Sequence, residues 1–314
     1  MTKHNMMNAL AIVWNWDPTC FMLGSLDIRW YGLMWALAIL AAERVCHYTF
    51  RHEGLPPRTL ESAFIWIVLG TFIGARVGHC LFYEPETYLV EPWRIITDIR
   101  DGGMASHGAT IGIILGIWFF VKRNHLPFIW GLDRIAIVAP LSGAIIRLGN
   151  LFNSEIVGNV TDMPWGFKFI YHDARQAWMQ FSGDVPQQII DLVPARHPAQ
   201  LYEALCYLIT FAIIITLYYR KDLGRRRPGF LFGIAMIGIF LTRFFIEFIK
   251  ERQVDFEEGM TLDMGQWLSI PFILLGIYMI FRSMRRPEVK DVGAVVAHAN
   301  REYAREDKKA KEMK

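Results

Sequence analysis

A short list of ionisable side chains interrupts otherwise apolar stretches of this chain: Arg76, His107, Arg147, Glu203, Arg243 and Glu247, with Glu43 and Arg44 nearby. A charge at the centre of a membrane helix costs about 2.5–3.5 kcal/mol on insertion scales, so such residues are functional candidates by default. The chemistry their types suit is that of an oxyanion. The planar fork of arginine matches phosphate geometry, and histidine titrates near neutrality and can take a proton. Hydroxyl, amide and carboxylate groups stand close by in sequence: Tyr31, Asn150, Asn153, Glu155, Gln200 and Tyr202. Spacing groups some of them. Arg147 and Asn150 are three apart and Arg243 and Glu247 four apart, so each pair shares a helix face. His107 follows Asp101-Gly102-Gly103 and precedes Gly108, where the backbone could approach a ligand closely. Each feature has a plainer alternative. Arg243 and Glu247 could be a structural ion pair, and Arg76, Glu43 and Arg44 could snorkel from helix ends. The asparagines could join helices by hydrogen bonds, and His107 could simply open a helix.

The elements that must position these groups are membrane helices. Of the 314 residues, 53% are hydrophobic and 20% charged. The apolar ones come in blocks of roughly twenty, the length that crosses a bilayer core, at about 31–50, 62–83, 104–121, 131–152, 198–220, 229–248 and 262–281. A closed β-barrel would need shorter alternating segments. Loop charge sets an orientation. The loops around Arg51 and Arg58, around Lys122, Arg123 and Arg134, and around Arg220, Lys221, Arg225, Arg226 and Arg227 are basic. The loops with Glu84, Glu86, Glu91, Asp98 and Asp101 and with Glu251, Asp255, Glu257, Glu258 and Asp263 are acidic. Basic loops stay in the cytoplasm, so the N-terminus is expected outside and the C-terminus inside. With that orientation Tyr31, Arg76, His107, Arg147, Asn150, Gln200, Tyr202, Glu203, Arg243 and Glu247 all fall near the outer ends of their helices.

The expected architecture is an all-α integral membrane protein of about seven transmembrane helices, with a small outer cap between helices four and five. Residues 1–30 form an outer N-terminal segment, 31–153 helices one to four, 154–197 the cap, 198–282 helices five to seven, and 283–314 a charged cytoplasmic tail, helical and facing either water or anionic lipid. The cap holds Trp165, Phe167, Tyr171, Trp178 and Phe181, too aromatic for a disordered linker. No cleavable signal peptide is expected in the first thirty residues, so the first helix would serve as its own insertion signal. Cys20, Cys46, Cys80 and Cys206 show no pairing pattern and no metal-ligand spacing. No metal, cofactor or nucleic-acid partner is expected. A transporter or flippase for an anionic lipid or solute would use the same arginines, but should carry polar residues on to the inner face. An intramembrane protease needs a Ser–His or paired-Asp arrangement, and no paired Asp appears.

At these residues the chain resembles the bacterial prolipoprotein diacylglyceryl transferases, from about Ile28 to Gly276. The strongest match is Arg147-Leu148-Gly149-Asn150-Leu151-Phe152-Asn153-Ser154-Glu155-Ile156-Val157-Gly158. Beside it stand Gly102-Gly103-Met104-Ala105-Ser106-His107-Gly108 and Arg196-His197-Pro198-Ala199-Gln200-Leu201-Tyr202-Glu203. Shorter matches are Ile28-Arg29-Trp30-Tyr31-Gly32, Gly74-Ala75-Arg76-Val77-Gly78, and Arg243-Phe244-Phe245-Ile246-Glu247-Phe248 with Gly265-Gln266 and Leu268-Ser269-Ile270-Pro271 beyond it. The departures are Ala109 and Ser154 in place of glycines, Ile146 before the arginine, Arg252-Gln253 after the helix-six glutamate, and Ile239 where the family carries a tyrosine four residues before the helix-six arginine.

The resemblance implies transfer of an sn-1,2-diacylglyceryl group from phosphatidylglycerol to the lipobox cysteine of a prolipoprotein signal peptide, at the outer face of a bacterial inner membrane. It implies Arg147 and Arg243 on the leaving phosphate and His107 as base, with His197 next in line. Tyr31, Arg76, Asn150, Asn153, Glu155, Gly158, His197, Gln200, Tyr202 and Glu247 would contact or orient substrate, with Glu247 holding Arg243.

Overall fold

The computed structural model describes residues 11–98, 103, 105–252 and 259–312. Asp101, Gly102 and Met104 of the glycine turn, and Asp255, Glu257 and Glu258 of the second acidic loop, lie outside the described residues.

The chain is mostly helical. In order it forms β1 (Ile12–Trp14), β2 (Thr19–Leu23), β3 (Leu26–Arg29), α1 (Trp30–Glu53), α2 (Pro57–Phe82), the single turns α3 (Pro85–Tyr88) and α4 (Arg94–Thr97), α5 (Ser106–Arg123) and α6 (Phe128–Phe152). There follow β4 (Phe167–Phe169), α7 (Ile170–Asp173), α8 (Arg175–Gln180), α9 (Gln187–Leu192), α10 (Ala199–Lys221), α11 (Leu223–Arg226), α12 (Phe230–Ile246), α13 (Met264–Arg285) and α14 (Ala294–Glu312). Every apolar block expected to cross the bilayer is a helix. Five of them, at Pro57–Phe82, Phe128–Phe152, Ala199–Lys221, Phe230–Ile249 and Met264–Arg285, are long and apolar enough to do so. The other two are weaker by composition: α1 carries Glu43, Arg44, Arg51 and Glu53 in its second half, and α5 has only 18 residues, with His107 at one end and Lys122-Arg123 at the other.

The described chain divides into two compact units. The first comprises Met1–Ala42, Ala136–Leu223 and Phe230–Arg286. Its N-terminal segment is not helical, as an all-α reading requires, but makes strands. β2 and β3 form an antiparallel hairpin, and β1 pairs in parallel with β4. The reason is aromatic packing: Trp14 stacks on Trp16 and lies against Phe152 and Phe167, while its indole N–H donates to the Leu151 carbonyl at 3.0 Å. The segment expected to form a cap is folded, with three short helices around Ile170, Val185 and Val193.

The second unit comprises Glu43–Ile135, Gly224–Gly229 and Pro287–Lys314. Here α2 and α5 meet along a seam of glycines. A Cβ added at Gly70, Gly74 or Gly78 would strike the backbone of Gly112 or Gly108, and one at Gly116 the carbonyl of Trp66. Small residues at every fourth position let two membrane helices approach this closely. Gly108, read from sequence as room for a ligand, is room for α2. Arg134, counted among loop charges, is instead buried within α6, where its guanidinium donates to Glu53 at 2.6 and 2.9 Å. The tail helix α14 lays Val296, Ala299 and Tyr303, spaced three and four apart, against this unit's core. Tyr303 donates to Asn124, and the Arg58 guanidinium lies 3.8 Å over its ring. That face therefore contacts protein rather than lipid.

Candidate active site

The first unit gathers most of the expected polar residues. Arg147 lies in the last turns of α6 and donates to the side chain of Asn150 at 3.2 Å, the contact their spacing predicts. Its guanidinium also pairs with Glu203 of α10, a carboxylate that is 1% exposed. Tyr207 lies one turn beyond Glu203, with its hydroxyl against the same guanidinium. Tyr31, in the first turn of α1, packs its ring on Gly149: a Cβ there would stand 3.1 Å from Tyr31 Cδ2. Glycine between Arg147 and Asn150 therefore admits an aromatic ring beside the arginine.

Beyond α6 the backbone turns sharply, with Ser154 and Ile156 both at positive φ (53° and 59°), an unusual state for side-chain-bearing residues. The strand-like stretch that follows is held from two sides. Gly158 N–H donates to the His197 carbonyl at 2.9 Å, Asn159 N–H to that of Ile249 at 2.8 Å, and Glu251 N–H to that of Val157 at 3.1 Å. A side chain at position 158 would collide with His197 and with the Ile249 carbonyl, so only glycine fits. The same threading fixes the Arg-His-Pro turn. Arg196 binds Asp173 at 2.7 Å and Glu251 at 3.1 Å, and the hydrogen bond and charge of Asp173 raise its pKa further above the ordinary guanidinium value. His197 approaches the Tyr202 hydroxyl at 3.3 Å, which accepts from the Trp165 indole at 2.9 Å. Burial lowers the His197 pKa.

Several buried polar atoms of this cluster have no hydrogen-bond partner among the described residues: Asn153 Oδ1, Ser154 Oγ, Gln200 Oε1 and Arg243 Nε. The other ends of the same groups are anchored. Asn153 Nδ2 donates to Glu155 at 3.2 Å, and Gln200 Nε2 to the Glu155 carbonyl at 2.5 Å. Buried polar groups are ordinarily satisfied, so anchored amides with idle oxygens and an arginine with an idle N–H leave this cluster free to bind a polar ligand.

Glu247 departs from its expected place. Among the described residues no ion pair joins it to Arg243; it pairs with Lys250 at 3.3 Å and lies over Gly265. The cause is local. Past Ile246 the chain tightens into a 3-10 turn over Glu247–Ile249, in which side chains eclipse at i and i+3 instead of i and i+4.

Arg76 and His107 belong to the second unit. Arg76 is buried and donates to the carbonyls of Ile95 (2.9 Å) and Arg94 (3.3 Å) and to the Tyr88 hydroxyl (3.2 Å). It thus neither snorkels nor presents its fork outward, but ties down the loop carrying α3 and α4. His107 is exposed in the first turn of α5, stacked on Tyr83 at 5.6 Å and edge-on to Phe82 at 5.8 Å. Sequence reasoning gave Glu203 no task and missed Tyr207. The only available signal for the latter was its spacing, four residues after Glu203 in an apolar helix.

The helices' apolar windows are only 17–44% buried within the protein. So much exposed apolar surface has no soluble solution, and the chain is a multi-pass helical membrane protein. The family model described as prolipoprotein diacylglyceryl transferase matches residues 18–282. Among curated relatives, a phosphatidylglycerol–prolipoprotein diacylglyceryl transferase from Bacteroides fragilis is 42% identical over 294 residues, spanning 90% of this chain and 98% of the relative. Those from Porphyromonas gingivalis and Chloroherpeton thalassium are 43% and 40% identical, over 88% and 89% of this chain and 96% and 97% of theirs. The chain belongs to the prolipoprotein diacylglyceryl transferase family.

Proposed function

We infer that this chain transfers the sn-1,2-diacylglyceryl group of phosphatidylglycerol to a cysteine thiol of a prolipoprotein, the first lipidation step of lipoprotein maturation. The cysteine sulfur attacks the lipid glycerol carbon that bears the phosphodiester. A C–S bond forms, the C–O bond breaks, and glycerol phosphate leaves. The thiol, with an ordinary pKa near 8.5, must give up its proton to attack. Negative charge meanwhile gathers on the leaving phosphate.

The observation that carries the site assignment is the Arg147 cluster. Arg147 is oriented from one side by Glu203 and from another by Asn150, so its fork is held before a substrate arrives, and preorganised donors of this kind stabilise developing charge. Arg243, with a buried and idle N–H, is the second proposed phosphate ligand. The idle oxygens of Asn153, Ser154 and Gln200 accept from hydroxyl groups, which the glycerol headgroup has and its phosphate lacks. Tyr31 supports Arg147 through the Gly149 contact, Gly158 shapes the turn, and Glu155 holds both amides. His107 is the proposed base, on the strength of its motif and titration range. The reading extends to the lipobox cysteine as acceptor, seven crossings of a bacterial inner membrane, chemistry at the outer face beneath the folded 154–197 insert, an outside N-terminus and a cytoplasmic C-terminus.

The test is direct. Purified protein in detergent is mixed with phosphatidylglycerol and a lipobox peptide, and the peptide mass is followed. A gain of one diacylglyceryl group, dependent on phosphatidylglycerol and on the peptide cysteine, is expected. No gain with an intact, folded sample rejects the reading.

A further inference from the structure

The polar cluster contains one group that neither the sequence motifs nor the proposed chemistry uses. Tyr207 is 4% exposed in the interior of α10, where an unpaired phenol would be expensive. Its ring is given space by a glycine: a Cβ at Gly143 of α6 would stand 3.2 Å from Tyr207 Cδ2. Ala144 and Ala204 pack around it, and Leu148 and Ile239 close the pocket. Small residues on two helices thus seat this ring, and its hydroxyl accepts from the Arg147 guanidinium. Glu203 lies one helical turn before Tyr207 on the same face of α10.

Position 239 sharpens the point. It lies four residues before Arg243 on α12, and an isoleucine there has no hydrogen-bonding group to offer either arginine. The packing puts that isoleucine against the cluster formed by Ala144, Ala204 and Tyr207. The phenol approaches the arginines from α10, and the α12 position beside it is filled by hydrocarbon.

We propose that Tyr207 is a positioning residue of this transferase, its hydroxyl holding the Arg147 guanidinium from α10 so that the arginine fork meets the leaving phosphate. The proposal rests on the transferase reading. Tyr207 touches the arginine rather than the reacting atoms, so its removal slows turnover more than it weakens lipid binding.

The experiment compares wild type, Tyr207→Phe, Tyr207→Leu and the double variant Tyr207→Phe/Ile239→Tyr, in detergent, by the peptide-mass assay across phosphatidylglycerol concentrations. Tyr207→Phe keeps the ring and its packing. Its kcat should fall about 10- to 100-fold, the worth of one hydrogen bond to a charged group, with KM and thermal midpoint close to wild type. Tyr207→Leu should also lose thermal stability. The double variant, which returns a phenol from the neighbouring helix position, should recover most of the lost kcat. A Tyr207→Phe enzyme within twofold of wild type overturns the proposal. So does a loss seen only in KM or thermal midpoint, or a double variant no faster than Tyr207→Phe. Absence of transfer by wild type itself would sink the underlying function reading, and that outcome is read in its own arm.

Discussion

At the scale of single residues, charge is separable from geometry. Arg147→Lys keeps the cation and loses the fork. If the arginine meets phosphate bidentately, this variant should fall by about 10²–10³ in rate, and near-wild-type transfer would reduce Arg147 to a diffuse positive field. Glu203→Gln should instead be read in stability. It leaves a largely buried guanidinium without its carboxylate, a change that typically costs about 3–5 kcal/mol and should lower the thermal midpoint. His107 and His197 are told apart by pH. With His107 as base, His107→Gln should lose on the order of 10²–10⁴ in rate, and raising pH toward the thiol's own pKa should partly rescue it; a ratio to wild type that stays flat across pH removes His107 from that role. His197 acts on stability, and burial lowers its folded-state pKa. Its contribution is therefore complete above the ordinary value of about 6.5 and is lost as pH falls through the lower folded-state value. An acid-side decline in thermal midpoint should be present in wild type and reduced in His197→Gln.

Elements are held by close backbone approach. The α2–α5 seam depends on facing glycines, so Gly112→Leu must push the Gly70 carbonyl away. Overpacking typically costs about 1–3 kcal/mol, and with backbone as the obstacle the thermal midpoint should drop by several degrees. Gly32 makes the contrast. It belongs to the Trp-Tyr-Gly run that opens α1, yet an added Cβ meets nothing within 4 Å. Gly32→Ala should leave the midpoint unchanged or raise it slightly through helix propensity. Equal effects of the two substitutions would contradict the seam as the source of the helix pairing.

For the whole molecule the question is sidedness, which follows from loop charge. A reporter active only outside the cytoplasm should work when fused after Phe181, in the folded insert, and fail after Arg226, in the strongly basic turn. The reverse pattern would overturn the orientation and with it the outer-face assignment of the chemistry. The seal of Glu53 on Arg134 bears on this prediction. It neutralises one charge of a basic loop, and the sidedness then rests on Arg51 and Arg58, on Lys122 and Arg123, and on the arginine run 225–227.

Much was legible without a structure, because the signals were local in sequence. Apolar runs placed the long apolar helices, since hydrocarbon thickness dictates their length. The Arg147–Asn150 contact followed from helix geometry alone, and the motifs around Arg147, His107 and His197 carried the family. What needed tertiary structure was everything set by distant partners. No local signal marks Glu203 as the carboxylate on Arg147, because that pairing joins α6 to α10. Arg76 read as a candidate ligand until the carbonyls of Arg94 and Ile95 were seen to take its donors. Glu247 was aimed at Arg243 by α-helical period, and a switch to 3-10 geometry at residue 247 turned it to Lys250 instead. The N-terminal strand β1 exists because β4, more than 150 residues on, offers it an edge. Periodicity reports which face of an element is buried; only the folded chain decides which neighbour buries it.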